Sequence, residues 1–215
     1  MRLISVSVGS IQSIPYRGQQ VKTGIYKAVV NSRVHVQLEG ISQDVQVDRK
    51  NHGGPDKALY AYGLENLAYW SHQRADVSYL PGHMGENLTI QGLDDRRIHI
   101  GDRFRVGTAL LEVTQPRVPC FKLGVKMGDP KFVGAFLKSG RTGFYLRVIE
   151  RGELGAGDDF EPAHMDGHGV SIADAMKAII PGTDQLEWIR KVLSVDALSE
   201  AWREDLQKRQ NAFLT

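Results

Sequence analysis

Cysteine occurs once in this 215-residue chain, at Cys120. A single thiol excludes an intramolecular disulfide framework, so a reducing, cytoplasmic setting is expected. It also excludes an iron–sulfur cluster, which takes about four cysteine ligands. The zinc spacings CxxC and HExxH are missing, as are GxGxxG and the P-loop pattern, which removes the usual metal and nucleotide signatures. No apolar run approaches the roughly 20 residues of a membrane helix. The opening MRLISVSVGSIQ is too short and too polar in its apolar part to be expected as a signal peptide. Nor is there a charge excess: 27 Lys and Arg face 25 Asp and Glu, a net +2 too small to expect a stable nucleic-acid complex. What is present, 41% hydrophobic and 24% charged residues, is the composition of a globular chain with room for one good core and a small appendage.

Short alternating segments dominate the first three quarters. LISVSVG alternates from Leu3 to Val8, and SRVHVQLEG places Val34, Val36 and Leu38 on one face with His35 and Gln37 on the other. NLTI, RIHIGDRFRVG, TALLEVTQ and TGFYLRVIE follow, punctuated by Gly, Asp and Pro, and such a series of strands predicts a closed or nearly closed barrel. Two helices are expected among them, in LENLAYWSHQR and in PKFVGAFLKS, where Phe132 and Phe136 stand one turn apart. From Ser171 the period becomes helical: SIADAMKAII has Ser171 as a cap, DQLEWIRKVL has Asp184 and Glu187 at capping-box spacing, and LSEAWREDLQKRQ aligns Leu198, Trp202 and Leu206. The division expected is a mainly β barrel domain over residues 1–165 and a three-helix domain over residues 166–215.

Four stretches carry chemistry. QPRVPCFKL sets Cys120 behind Pro116 and Pro119, with Arg117 and Lys122 near enough to favour a thiolate; a lone cysteine is also commonly a small buried hydrophobe. NHGGPDKALYAY puts His52, Gly53 and Gly54 ahead of Lys57. That is a turn by composition, able to aim backbone N–H groups at an anion, although a plain hairpin turn explains it as well. GHMGENLTI brings Glu86 and Asn87 to a strand entrance, where they can bind a polar heterocycle or satisfy their own loop. VKTGIYK joins Lys22, Thr23 and Gly24, a cation, a hydroxyl and a permissive backbone that would suit a phosphate. One thiolate candidate, two Gly-rich anion cradles and several cations do not make a self-sufficient metal site. They suit an anionic organic cofactor that brings its own metal, with Cys120 as the single protein ligand.

The order HGGPDKAL, GENLT, QPRxPCFKL and GxYxRV, spread from about Lys22 to Asp158, resembles the MOSC domain family, named for the C-terminal domain of molybdenum cofactor sulfurases. The helices from Ser171 resemble the three-helix appendage of a bacterial subgroup. The resemblance implies a MOSC-type β-barrel, of the pyruvate-kinase-insert kind, that binds the molybdenum cofactor, a pyranopterin dithiolene with a terminal phosphate. It implies molybdenum on Cys120, a cofactor-side turn at His52, Gly53 and Gly54, a polar pair at Glu86 and Asn87, and a phosphate or oxyanion near Lys22, Thr23 and Gly24. Members of this kind look like reductases of N-hydroxylated bases and amidoximes.

On that reading Cys120 and His52 are the catalytic expectations, with Lys57, Arg117 and Lys122 as charge partners of the cofactor. The small-molecule substrate would be a hydroxylaminopurine, amidoxime or hydroxylamine. Electrons would come from a separate flavin or iron–sulfur reductase, since the chain has no such module of its own; self-association is a further expectation. Where the commoner family form joins Gly and Asp directly, this chain reads LEGISQDVQVDRKNHGG, so Asp44 and Gln46 are expected in those roles. A non-catalytic carrier of cofactor or sulfur is the alternative, and a Cys–His hydrolase using Cys120 with His52 or His83 lacks an orienting third group.

Overall fold

Apolar alternation from Leu3 to Val8 yields β1 (Arg2–Gly9), with Leu3 and Val6 fully buried. The structure, a computed structural model, describes residues 1–48, 53–75 and 77–214. On one edge β1 pairs with β4 (Lys27–Val30) and on the other with β8 (Leu88–Gln91), both antiparallel. Beyond β8 lies β7 (Leu59–Gly63), parallel to it. That parallel step needs a crossover, and α1 (Leu64–Gln73) supplies it. The sheet continues through β11 (Phe144–Glu150), β10 (Ala109–Pro116), β9 (Arg103–Val106) and β13 (Phe160–His164). Its order is β13-β9-β10-β11-β7-β8-β1-β4, eight strands.

The sheet curls back on itself. Leu3 N donates to Asp158 O at 2.9 Å and Phe160 N to Met1 O at 2.8 Å, with a bridge between Arg2 and Asp159. The chain entering β13 thus closes onto the start of β1. A smaller sheet of β5 (Val34–Gln37), β6 (Gly40–Ile41) and β12 (Gly152–Leu154) covers one end, and β2 (Gln12–Tyr16) with β3 (Gln19–Thr23) forms a separate hairpin.

Two expected strand positions shift. Gln37 pairs with Gly40, so Leu38 sits in the hairpin turn and is 42% exposed instead of joining Val34 and Val36 inside. Arg97 to Ile100 forms turns, with Arg97 N on Asp94 O and Asp102 N on His99 O, so regular pairing begins only at Arg103.

The terminal helices are α4 (Ile172–Met176), α5 (Gln185–Leu193) and α6 (Glu200–Leu214); α2 and α3, between β10 and β11, belong to the site below. Ser171 caps α4 by accepting from Asp174 N, and Asp184 caps α5 by accepting from Glu187 N, each cap worth about 1 kcal/mol. Ile189, Val192, Trp202 and Leu206 join the same apolar cluster as barrel residues Leu111 and Val113. β10 is therefore buried on both faces along its length. Among the described residues no helix is long and apolar enough to cross a membrane.

One buried acid lies under α1. Asp95 is 5% exposed; its Oδ2 accepts from Asn66 Nδ2 at 3.0 Å while its Oδ1 has no hydrogen-bond partner among the described residues. Burial pushes its carboxyl up to about 7 from 3.8. A raised carboxyl favours the fold in its protonated form, so its contribution is complete below pH 3.8 and is lost as pH rises through about 7. Asp95→Asn is expected to remove that loss. In urea unfolding the variant should gain on the wild type between pH 5 and pH 8 by about 2–4 kcal/mol.

Candidate functional site

The Cys120 segment is built between two rigid pieces. β10 ends at Pro116, Arg117 N donates to Gly143 O at 3.1 Å, and Cys120 occupies the extended position just before α2 (Phe121–Lys126). The thiol is half-buried and in no disulfide. After a turn, α3 (Phe132–Lys138) packs Phe132 and Phe136 into an aromatic cluster with Tyr60, Tyr62 and Trp70. Arg117 enters the edge of that cluster, 5% exposed, with its guanidinium carbon 5.3 Å from the ring centres of both Tyr60 and Phe136. Its Nη1 has no hydrogen-bond partner among the described residues. Burying an arginine with an unpaired N–H is costly, which makes this nitrogen a demand for an anion at the cleft.

Opposite Cys120, β3 delivers Thr23 and then Gly24 and Ile25. A Cβ on Gly24 would lie 2.3 Å from Val45 O, so only glycine lets the 23–27 and 44–48 segments meet. Asp44 joins them: it accepts from Gly9 N at 2.6 Å, from Lys27 Nζ at 2.5 Å and from Asn87 Nδ2 at 2.9 Å. Gln46 holds the 3-10 turn Pro55–Lys57, donating from Nε2 to Lys57 O and Ala58 O and accepting from Gly54 N. Lys57 also lines the wall, its pKa lowered by burial.

Nine of the expected residues line one cleft: Thr23, Gly24, Asp44, Gln46, Lys57, Asn87, Arg117, Cys120 and Lys122. The others are placed elsewhere or are not described. Lys22 is exposed, because strand alternation turns it away when Thr23 faces in. Glu86 is fully buried and satisfies its own loop, accepting from Gly82 N at 2.7 Å, Met84 N at 2.9 Å and Thr89 Oγ1 at 3.2 Å. Burial raises its pKa. Asn87 is spent too, with Oδ1 accepting from Tyr60 N and Nδ2 serving Ser7 O and Asp44; it orients Asp44. Gly53 and Gly54 are not among the residues that line the cleft, and the Gly54 amide donates to Gln46 Oε1. His52 lies outside the described residues, and His83 packs on Tyr79 with ring centres 4.8 Å apart, off the cleft wall.

Lys27, Tyr60 and Tyr145 also line the cleft, and sequence reasoning passed over them because each sits inside a strand pattern. The tyrosines of LYAY and FYLRV were the available signal. Burial raises the pKa of Tyr60 and of Tyr145, so both hydroxyls stay protonated.

The wall carries four cationic side chains, Lys27, Lys57, Arg117 and Lys122, against two carboxylates, Asp44 and Asp48. Lys27 is neutralised by Asp44, and Lys122 stands 3.8 Å from Asp48. Among the described residues no group of three or more His, Cys, Asp or Glu could hold a metal. The donor set therefore fits an anionic group that arrives with its metal and takes one soft ligand from the protein.

The sequence model of the MOSC domain matches residues 48–161. YflK, an uncharacterized protein of Bacillus subtilis (strain 168), is 36% identical over 99% of this chain and 96% of its own length. A protein named a reductase from Gibberella moniliformis (strain M3125 / FGSC 7600) is 30% identical over 73% of this chain, which spans 28% of that longer protein. The crystal structure of YiiM from Geobacillus stearothermophilus superposes with a TM-score of 0.82 at 32% identity, covering 97% of this chain and 98% of that one.

Proposed function

The chain belongs to the MOSC domain family, and from that premise we propose that it binds the molybdenum cofactor and reduces N-hydroxylated small molecules, of the hydroxylaminopurine, amidoxime or hydroxylamine type, to amines. The observation that carries this reading is the pairing of Cys120 with a buried Arg117 whose Nη1 lacks a partner, in a cleft where cations outnumber carboxylates. Association of the MOSC domain with molybdenum cofactor supports it, and so does the reductase named among the relatives.

Each residue has a task that its position suits. Cys120 would supply one thiolate to the metal, held anionic by Arg117 and Lys122. Arg117 would offer Nη1 to the anionic frame of the cofactor, its plane fixed between Tyr60 and Phe136. Lys57 and Lys122 would balance the remaining negative charge. Lys27 would not, because Asp44 already holds it. When bound, the cofactor supplies the two-electron redox chemistry that the protein side chains lack. The overall change is cleavage of the substrate N–O bond with uptake of two electrons and two protons, releasing an amine and water. The electrons would come from a separate flavin or iron–sulfur protein.

The test is direct. Chain produced in a molybdenum-replete host is expected to carry molybdenum and pterin and to reduce 6-hydroxylaminopurine to adenine with reduced methyl viologen as donor. Loaded protein that turns over no N-hydroxylated purine, amidoxime or hydroxylamine would overturn the reductase reading and leave a cofactor carrier.

A further inference from the structure

Two residues of the shared motifs take no part in the cleft wall: Asp56, of HGGPDK, and Arg147, of GFYLRV. The structure pairs them. Arg147 reaches Asp56 Oδ1 through Nε at 3.0 Å and Nη2 at 2.8 Å, and its Nη1 donates to Glu112 Oε1 at 3.0 Å. The other oxygen, Asp56 Oδ2, accepts from Glu200 N at 2.9 Å. Glu200 is the first residue of α6, since the Ser199 hydroxyl accepts from Trp202 N at the capping position. The Asp56 carbonyl in turn accepts from the Thr114 hydroxyl at 2.6 Å. One residue thus ties β10, β11 and the terminal helix to the turn whose next side chain, Lys57, enters the cleft.

Simple attachment of the helices does not account for this network. Side chains of Asp56 and Arg147 are 28% and 26% exposed, so much of their attraction is screened. The helices are already held by Ile189, Val192, Trp202 and Leu206 in the common core, which is by far the larger contribution. The turn, in contrast, is only three residues long and starts from Gly54 at φ 86°, and so short a 3-10 segment has little stability of its own. Gln46 holds it from the cleft side and Asp56 from the helix side.

We propose that Asp56, clamped by Arg147 and by the first amide of α6, is a positioning residue that fixes Lys57 in the cleft and makes the terminal helices part of the cofactor site. The proposal rests on the reading that Lys57 meets the anionic cofactor. Glu200→Pro is the selective probe. It deletes only the donating N–H, its own side chain is exposed, and proline is well tolerated at the first position of a helix.

In loaded full-length protein, Glu200→Pro is expected to speed loss of molybdenum on dialysis by about tenfold, with the melting temperature unchanged within about 3 °C. In a Lys57→Ala background the same change should add nothing, as expected when two residues act through one contact. In the unloaded chain, reductive methylation of Lys57 by formaldehyde with cyanoborohydride as hydride donor, read by mass spectrometry, should accelerate at least about threefold in Glu200→Pro as the turn opens locally. An unchanged methylation rate, or additive losses in the Lys57→Ala background, would overturn the clamp. Wild-type molybdenum retention in Lys57→Ala alone would overturn the assignment of Lys57 to the cofactor, and the methylation result would stand apart from it.

Discussion

Cys120→Ser is expected to abolish reduction of 6-hydroxylaminopurine, with a fall of at least about 100-fold in turnover, while the chain stays folded. The substitution is nearly isosteric and the sulfur caps no backbone amide, so stability should move by less than about 1 kcal/mol. The chemistry changes far more. A serine hydroxyl is a hard donor that keeps its proton at neutral pH, whereas a thiolate is the soft ligand that a redox-active metal selects. The cations at Lys57, Arg117 and Lys122 remain in the wall. Pterin content should therefore fall less than turnover, and that split distinguishes a lost metal ligand from a collapsed site. Full activity of the loaded variant would sink the assignment of Cys120 to molybdenum. The readouts are pterin fluorescence, metal analysis and the viologen-coupled assay, run side by side.

The largest effect on stability is expected from Asp44→Asn. Lys27 and Asp44 have side chains 7% and 3% exposed, and removing one partner of so buried a pair strands the other charge. The cost is about 3–5 kcal/mol, or roughly 10 °C in melting temperature for a chain of this size. Burial already lowers the Lys27 pKa, and Asp44 is the main influence opposing it. Without the carboxylate that pKa falls further. A lysine with a depressed folded pKa penalises the fold while it is protonated, and the penalty lifts as the pH climbs toward the ordinary lysine value. The deficit of the variant should therefore narrow on going from pH 7 to more alkaline buffer, followed by thermal melts. A loss below 1 kcal/mol at pH 7 would mean that Gly9 N and Asn87, not Lys27, are the partners that matter to Asp44.

Much of the fold was legible where burial is one-sided. Val34 and Val36 alternate with exposed His35 and Gln37 as their pattern demanded, and Ser171 and Asp184 cap their helices from the expected positions. Legibility failed where burial is two-sided or the local signal is weak. β7 is buried at every residue, so LYAYG shows no alternation. The β2–β3 hairpin turns on Arg17 at φ 49° and Gly18 at φ 77°, the backbone of a type I′ turn without the Asn-Gly that usually announces one. Six residues of α2 follow Cys120 with no side-chain cap.

The site divides in the same way. Gly24, Arg117 and Cys120 stood out through glycine, proline and the single thiol. The direction of a side chain did not: Glu86 turns inward because Gly82 and Gly85, at φ 84° and 87°, curl the loop around its carboxylate. No local pattern announces that Asp56 and Arg147, 91 positions apart, will meet.

Barrel closure has a kinetic consequence. The contacts between Met1–Leu3 and Asp158–Phe160 join two segments far apart in the sequence. β1 can find β4 early and β8 later, but Leu3 N has its partner only when Asp158 arrives. Loop-closure entropy grows with the length spanned, and contacts of such high sequence separation slow folding. The seam spans more of the chain than any strand pairing among the described residues, so it is the costliest β contact to close and is expected to form late.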